Sequence, residues 1–311
     1  MRVGIVGTGA IGCLLGGVLK EGGLDTVLIG RNEQTVGAIN EAGGVRIDDE
    51  DGSRLVQLKA TLDHRCVEQT DLAILAVKAY DTREALRGIA PFLKPETALL
   101  TLQNGLGNVE AADEILGTGR ILAGTTSHGA NVLAPGHIRH AGVGDTLVGE
   151  PSGGISARVV EVARSLTAAG FNCEAVENVV GCIWLKTLIN AAINPLTALL
   201  CVRNGVLAED RALKGIMRTV VEEGIAVAQA AEVCLPCDDP YAKVLEVCKA
   251  TGENISSMLQ DVLHGRRTEI DQINGALAVR AARAGIEAPF NALLHALVKA
   301  LGAAARRAAP M

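Results

Sequence analysis

Three polar side chains recur at helical spacing in the 311-residue chain: Lys186, Asn190 and Asn194 stand at i, i+4 and i+8. That spacing holds them within about 80° of one another on a helix. Their neighbours Ile183, Trp184, Leu185, Leu188, Ile189, Ala191, Ala192 and Ile193 are nearly all apolar. A lysine and two asparagines on one face of such a helix need partners once buried. They suit the lining of a cleft, as donors and acceptors for a small polar ligand. A buried lysine loses its proton more easily, so it can serve as an acid near neutral pH. Pro195 removes a helical hydrogen bond and predicts a kink close to these residues. On spacing alone, a structural polar cluster between helices fits as well.

A second constellation opens the chain. The β-branched run Arg2–Val6 leads into Gly7-Thr8-Gly9-Ala10-Ile11-Gly12, then a helical pattern ending at Gly22-Gly23, then a strand at 26–29. A GxGxxG at the first turn of a β-α-β unit is the dinucleotide fingerprint. Gly7 makes the tight turn, Gly9 lets backbone approach a pyrophosphate, and Gly12 lets helix and strand pack closely. The N–H groups and dipole at the helix start then hold the phosphates. At the end of the second strand an NAD enzyme carries an acid, but here the residues are Ile29-Gly30-Arg31-Asn32, and Asp25 precedes the strand. A guanidinium suits a 2′-phosphate, which predicts NADP(H) over NAD(H), with an ordinary surface charge as the alternative for Arg31.

Lys78 and Asn104 follow two further apolar runs, 71–77 and 98–102. Ligands bind beyond the carboxyl ends of strands in an open α/β sheet. Lys78 could equally be a solvated strand-end lysine, and Asn104-Gly105 a plain turn. Ser256 or Ser257 could be a helix cap, and Glu269 a charge favoured by a helix N-terminus.

These residues require particular elements behind them. Strands at 121–126, 146–148 and 171–176 with a helix at 155–169 complete a first domain, and from Glu177 onward helical periodicity replaces strand-like runs. The expected fold is α/β: an N-terminal Rossmann doubly wound parallel sheet (1–176) followed by an all-helical C-terminal domain (177–311), with no internal repeat. The length favours two domains. Apolar residues at 49% with only 2% aromatics favour a core of Leu, Ile, Val and Ala.

The same totals narrow the function. A net charge of −6 with acids and bases interspersed offers no basic stripe for nucleic acid. Eight scattered cysteines form no disulfide framework, and the single CxxC, Cys234 to Cys237, has no second pair to complete a zinc site. No metal is expected. Residues 1–19 mimic a signal peptide only until their glycines are explained. The apolar stretch 179–202 is interrupted by Lys186, Asn190, Asn194 and Pro195, so it reads as a buried helix and no membrane partner is expected. A cytoplasmic protein is expected.

Taken with Ala76-Val77-Lys78, 103–107, 124–128, 184–186, 193–198, Asn204-Gly205, 256–261 and 268–275, the chain resembles the 2-dehydropantoate 2-reductase, or ketopantoate reductase, family from the glycine motif to about Asn291. The resemblance implies reduction of ketopantoate to pantoate by NADPH, a step toward pantothenate and coenzyme A. It implies Lys186 as general acid, and Asn104, Lys186, Asn190, Asn194, Asn204, Asn254 and Ser257 as substrate contacts. Gly7, Thr8, Gly9, Ala10, Ile11, Gly12, Arg31, Lys78, Asn104, Ala130 and Glu269 become cofactor contacts. The partner is a small 2-oxo acid, and a homodimer is compatible with the sequence. Two rivals stand beside this: a reductase of another branched 2-oxo acid, and a non-catalytic NADPH-sensing Rossmann protein.

Overall fold

A computed structural model describes residues 1–308, with side chains through Ala304. The chain divides into two compact units: residues 1–103 with 108–180, and 104–107 with the remainder from Gly181. The division falls four residues beyond the expected boundary, and Asn104–Gly107, expected with the first domain, belongs with the second unit. The expected second domain ends on residues 309–311, which lie outside the described residues.

Strands of the first unit are β1 (Arg2–Val6), β2 (Asp25–Ile29), β3 (Gly44–Asp49), β4 (Gly52–Gln57), β5 (Lys59–Thr61), β6 (Leu72–Leu75), β7 (Ala98–Thr101), β8 (Ile121–Thr126), β9 (Gly129–Ala134), β10 (His137–Gly142), β11 (Thr146–Gly149) and β12 (Cys173–Ala175). Its helices are α1 (Ala10–Glu21), α2 (Glu33–Glu41), α3 (Thr82–Ile89), α4 (Asn108–Leu116) and α5 (Ala157–Ala168). Eight strands form one sheet in the order β12-β11-β8-β7-β6-β1-β2-β5. All its pairings are parallel except β8 with β11. Every residue of β6 and β8 is buried, which is why β6 reads as an unbroken apolar run and β8 does not alternate, its two threonines at 125 and 126 being buried as well.

A second sheet, β4-β3-β10-β9, was not foreseen. Its strand β3 alternates: Val45 and Ile47 are buried while Arg46 is exposed. Glu50-Asp51 turns the β3–β4 hairpin, and Gly52, at φ +128°, opens β4 opposite Asp49; the Asp-Gly pair at 51–52 was the available signal. Helix α1 packs against β2 of the large sheet and also against β3, β4, β9 and β10.

The second unit is helical: α6 (Val179–Leu200), α7 (Asn204–Glu209), α8 (Arg211–Ala230), α9 (Pro240–Ala250), α10 (Ser257–Leu263), α11 (Asn274–Ala284) and α12 (Pro289–Ala308). Helix α6 is long and apolar enough to cross a membrane by length and composition, but most of it is buried in the protein. The kink expected at Pro195 does not interrupt it.

The first turn of the large sheet depends on backbone contact. Gly7 has φ +129°, and a side chain there would put its Cβ 2.7 Å from the Ala76 carbonyl oxygen. A Cβ at Gly12 would lie 2.0 Å from the Gly7 oxygen. Neither neighbour is a flexible side-chain tip, so the turn itself must move. Gly12→Ala is expected to lose about 2 kcal/mol or more, a fall in Tm of roughly 4 °C or more by circular dichroism. An unchanged Tm would show that the turn tolerates a side chain.

Candidate active site

In the first unit the strand order reverses beside β1, with β2 on one side and β6 on the other. Crevices at such a switch point receive ligands. The loop after β1 (Gly7 to Gly9) meets the loop after β6 there, through the Gly7–Ala76 approach. Gly9 behaves differently from Gly7 and Gly12. It is exposed, and a Cβ on it would meet no atom within 4 Å. Nothing in the protein's own packing requires a glycine at that position, whereas a pyrophosphate laid on the loop does. Gly9 is also the N-cap of α1 and supplies no side-chain cap, so Thr8, Gly9, Ala10, Ile11 and Gly12 present backbone to that position. The residues fit a dinucleotide.

Around this loop, Thr8 lies against Gly30 at the end of β2. The exposed guanidinium of the next residue, Arg31, pairs with Asp81 and Glu84 at 2.7 Å each. Lys78 is half-buried and opens the short 3₁₀ turn Ala79–Asp81. Gln103, at the end of β7, donates to the Val77 carbonyl at 2.9 Å and to Thr82 at 2.8 Å, tying the β6 and β7 loops together. Ala130 lies on β9 of the second sheet, opposite His140. The acids at 81 and 84 were missed because some 50 residues separate them from Arg31, and no local pattern joins them.

In the second unit, Lys186 and Asn190 are half-buried on α6 and Asn194 is buried. Burial pulls the Lys186 pKa down to about 8, while the carboxylate of Glu269 pushes it up. Glu269 is itself buried and accepts a hydrogen bond from Asn104 Nδ2 at 3.3 Å. The segment carrying Asn104 is clipped beside it. Leu106 N–H donates to the Gln272 carbonyl at 2.9 Å, and Gly105, at φ +80°, would place a Cβ 2.5 Å from that same oxygen. Asn104, Lys186 and Glu269, far apart in sequence, are therefore grouped by the fold.

Asn204 forms a second group at the start of α7. Its backbone N–H donates to the Asn254 carbonyl at 3.1 Å, and its Nδ2 to Thr251 at 2.9 Å. Its buried Oδ1 has no partner among the described residues. Of the two serines, Ser256 is the structural one: it caps α10 by accepting from Leu259 N–H and also accepts from Thr197 of α6 at 2.7 Å. Ser257 and Asn254 are exposed. The bond that pins α10 to α6 was not legible in the sequence, because Thr197 and Ser256 are ordinary residue types with no shared spacing.

Comparison with known proteins bears on both units. Residues 3–153 match the family described as "Ketopantoate reductase PanE/ApbA", and residues 178–302 match its C-terminal counterpart. The chain is an oxidoreductase of the ketopantoate reductase family. It is 39% identical over 300 residues to the 2-dehydropantoate 2-reductase of Pyrococcus horikoshii, covering 96% of this chain and 97% of that protein. It is 35% identical to that of Halobacterium salinarum, covering 96% and 98%. Among solved structures, a PanE/ApbA family ketopantoate reductase from Ralstonia eutropha JMP134 superposes with a TM-score of 0.90 at 33% identity, covering 98% of this chain and all of that one. D-mandelate dehydrogenase with NADH and anilino(oxo)acetate superposes with a TM-score of 0.91 at 27% identity, covering 98% and 99%.

For a reductase of this family, the balance on Lys186 is directly testable. Removing the Glu269 charge with Glu269→Gln takes away an attraction that opposes desolvation, so the Lys186 pKa is expected to fall below about 8. NMR titration of isotopically labelled lysine side chains would read it. A pKa that stays or rises would show that Glu269 does not act on the amine.

Proposed function

We propose that this enzyme reduces ketopantoate to pantoate with NADPH, using Lys186 as the general acid. The observation that carries the reading is the half-buried Lys186 amine, titrating near 8 on the helix face it shares with Asn190 and Asn194. NADPH, when bound, supplies a hydride to the ketone carbon. Lys186 gives its proton to the carbonyl oxygen as negative charge develops there, so the C=O becomes CH–OH and a neutral amine remains for solvent to reprotonate. Until the proton moves, the ammonium charge also stabilises the developing alkoxide.

The remaining residues bind and orient. Asn190 and Asn194 present amides to the carboxylate and ketone of a 2-oxo acid, and Asn254 and Ser257 are exposed nearby in sequence for the same purpose. Asn204 Oδ1 is an acceptor in need of a donor. Ketopantoate offers a hydroxyl that 2-oxoisovalerate lacks, and leaving a buried acceptor unpaired is how a site rejects the deoxy analogue. Asn104 and Glu269 border the amine and touch cofactor as well as substrate. Gly7 to Gly12 hold the pyrophosphate, with Lys78 and Ala130 as further cofactor contacts.

Arg31 favours NADPH by exchanging Asp81 and Glu84 for the 2′-phosphate. The NADH of the mandelate dehydrogenase structure is thus not the expected coenzyme here. We place the enzyme in the cytoplasm, at a step toward pantothenate and coenzyme A.

Oxidation of NADPH followed by absorbance with a panel of 2-oxo acids tests the assignment. Ketopantoate is expected to exceed 2-oxoisovalerate in kcat/KM by about tenfold or more, and equal values would sink the substrate assignment. In the reductive direction activity requires the protonated amine, so kcat/KM should be level below pH 8 and decline above it. Lys186→Ala should lower kcat by about 10²-fold or more with NADPH affinity little changed. Turnover intact in that variant would remove the mechanism. Arg31→Ala should weaken NADPH binding about tenfold or more while hardly affecting NADH, and parallel losses for both coenzymes would refute the phosphate role.

A further inference from the structure

Helix α6 runs unbroken through Pro195, yet a proline has no N–H to give to Ala191, whose carbonyl lies four residues earlier. Ala191 is fully buried, so water cannot take the place of that donor. Asn274, the first residue of α11, supplies it. Its Nδ2 donates to the Ala191 carbonyl at 3.1 Å and to Oδ1 of Asn291 at 3.0 Å. Asn291 Nδ2 donates in turn to Glu223 Oε2 at 2.7 Å and to the Val220 carbonyl at 3.1 Å. The Glu223 carboxylate also accepts from the backbone N–H groups of Phe290 and Asn291 at 2.8 and 2.9 Å, in the first turn of α12.

The direction of this relay is unambiguous. A carboxylate at one end and a carbonyl at the other can only accept. Asn291 must therefore turn its NH₂ toward Glu223 and its oxygen toward Asn274, and Asn274 must turn its NH₂ toward Ala191. Asn274 and Asn291 are both at 0% exposure. The arrangement leaves Asn274 Oδ1 without a partner among the described residues, whereas a leucine there would leave both the Ala191 carbonyl and Asn291 Oδ1 without this donor. The target of the Asn274 amide is the one carbonyl Pro195 leaves without a donor, and that carbonyl lies between Asn190 and Asn194 on the helix that also carries Lys186.

We propose that Asn274 is a positioning residue for the reaction: through the Ala191 carbonyl it fixes the turn of α6 that presents Asn190 and Asn194, and Glu223 with Asn291 sets its amide. The proposal rests on the reading of that helix face as the oxo-acid site. Asn274→Leu is expected to raise KM for ketopantoate about tenfold, leaving NADPH affinity and the alkaline limb of the pH profile unchanged. Pro195→Ala returns an N–H to Ala191 and should by itself alter KM by no more than about twofold. In the Pro195→Ala background Asn274→Leu should then have lost its effect, a coupling that removal of mere core packing does not produce.

The same rise in KM in both backgrounds, or a folded Asn274→Leu enzyme with normal KM, overturns the proposal. Should Asn274→Leu alone fail to fold, the double variant is expected to fold and to bind substrate normally, and its failure to do so overturns the proposal equally. Wild-type turnover of ketopantoate with independent effects at 195 and 274 defeats this inference alone, whereas absence of turnover defeats the functional reading beneath it.

Discussion

Desolvation of the Lys186 ammonium, opposed by one carboxylate, governs the chemistry of the second unit. A lysine in water is a weak acid near pH 7 and a poor match to a ketone oxygen. On a helix whose neighbouring residues are apolar, its charged form loses hydration, and its pKa descends to about 8. Glu269 sets a floor under that descent, and it can do so only if its own carboxylate stays in place. The Asn104 hydrogen bond and the backbone clip from Gly105 and Leu106 to Gln272 hold that part of the chain. The charge state of Lys186 thus depends on a loop more than 80 residues before it in sequence.

The first unit applies the same logic to a different charge. A dinucleotide brings phosphates, and the turn after β1 suits them with the backbone N–H groups of a helix start. Two of its glycines are demanded by the protein's own contacts and the third, Gly9, by none. Arg31 extends that positive surface but arrives already paired with Asp81 and Glu84. These pairs involve an exposed guanidinium, so each contributes little to stability.

Three buried polar side chains inside the helical unit share a further feature: each answers a defect in backbone hydrogen bonding. Ser256 caps α10, Glu223 caps α12, and Asn274 supplies the donor that Pro195 cannot. Thr197 adds a bond from α6 to the α10 cap. Helices α6, α8, α10, α11 and α12 are in this way joined through bonds that end on backbone atoms or on the caps themselves.

By itself the amino-acid sequence determined whatever depends on local period and residue type. The glycine fingerprint, the buried parallel strands, the helical second half and the Lys186-Asn190-Asn194 face all follow from spacings of a few residues, and these are set by covalent geometry. Tertiary structure alone decided which distant residues meet. It placed Glu269 and Asn104 beside the lysine helix, surrounded Arg31 with Asp81 and Glu84, assigned Ser256 to a cap, and directed Asn274 to the Ala191 carbonyl. It also assembled the second sheet, in which β3 and β10, some 90 residues apart in the chain, pair in parallel. Such pairings carry no local signature, because a hydrogen bond or ion pair depends on distance in space, and chain separations of 50 to 165 residues encode that only through the whole fold.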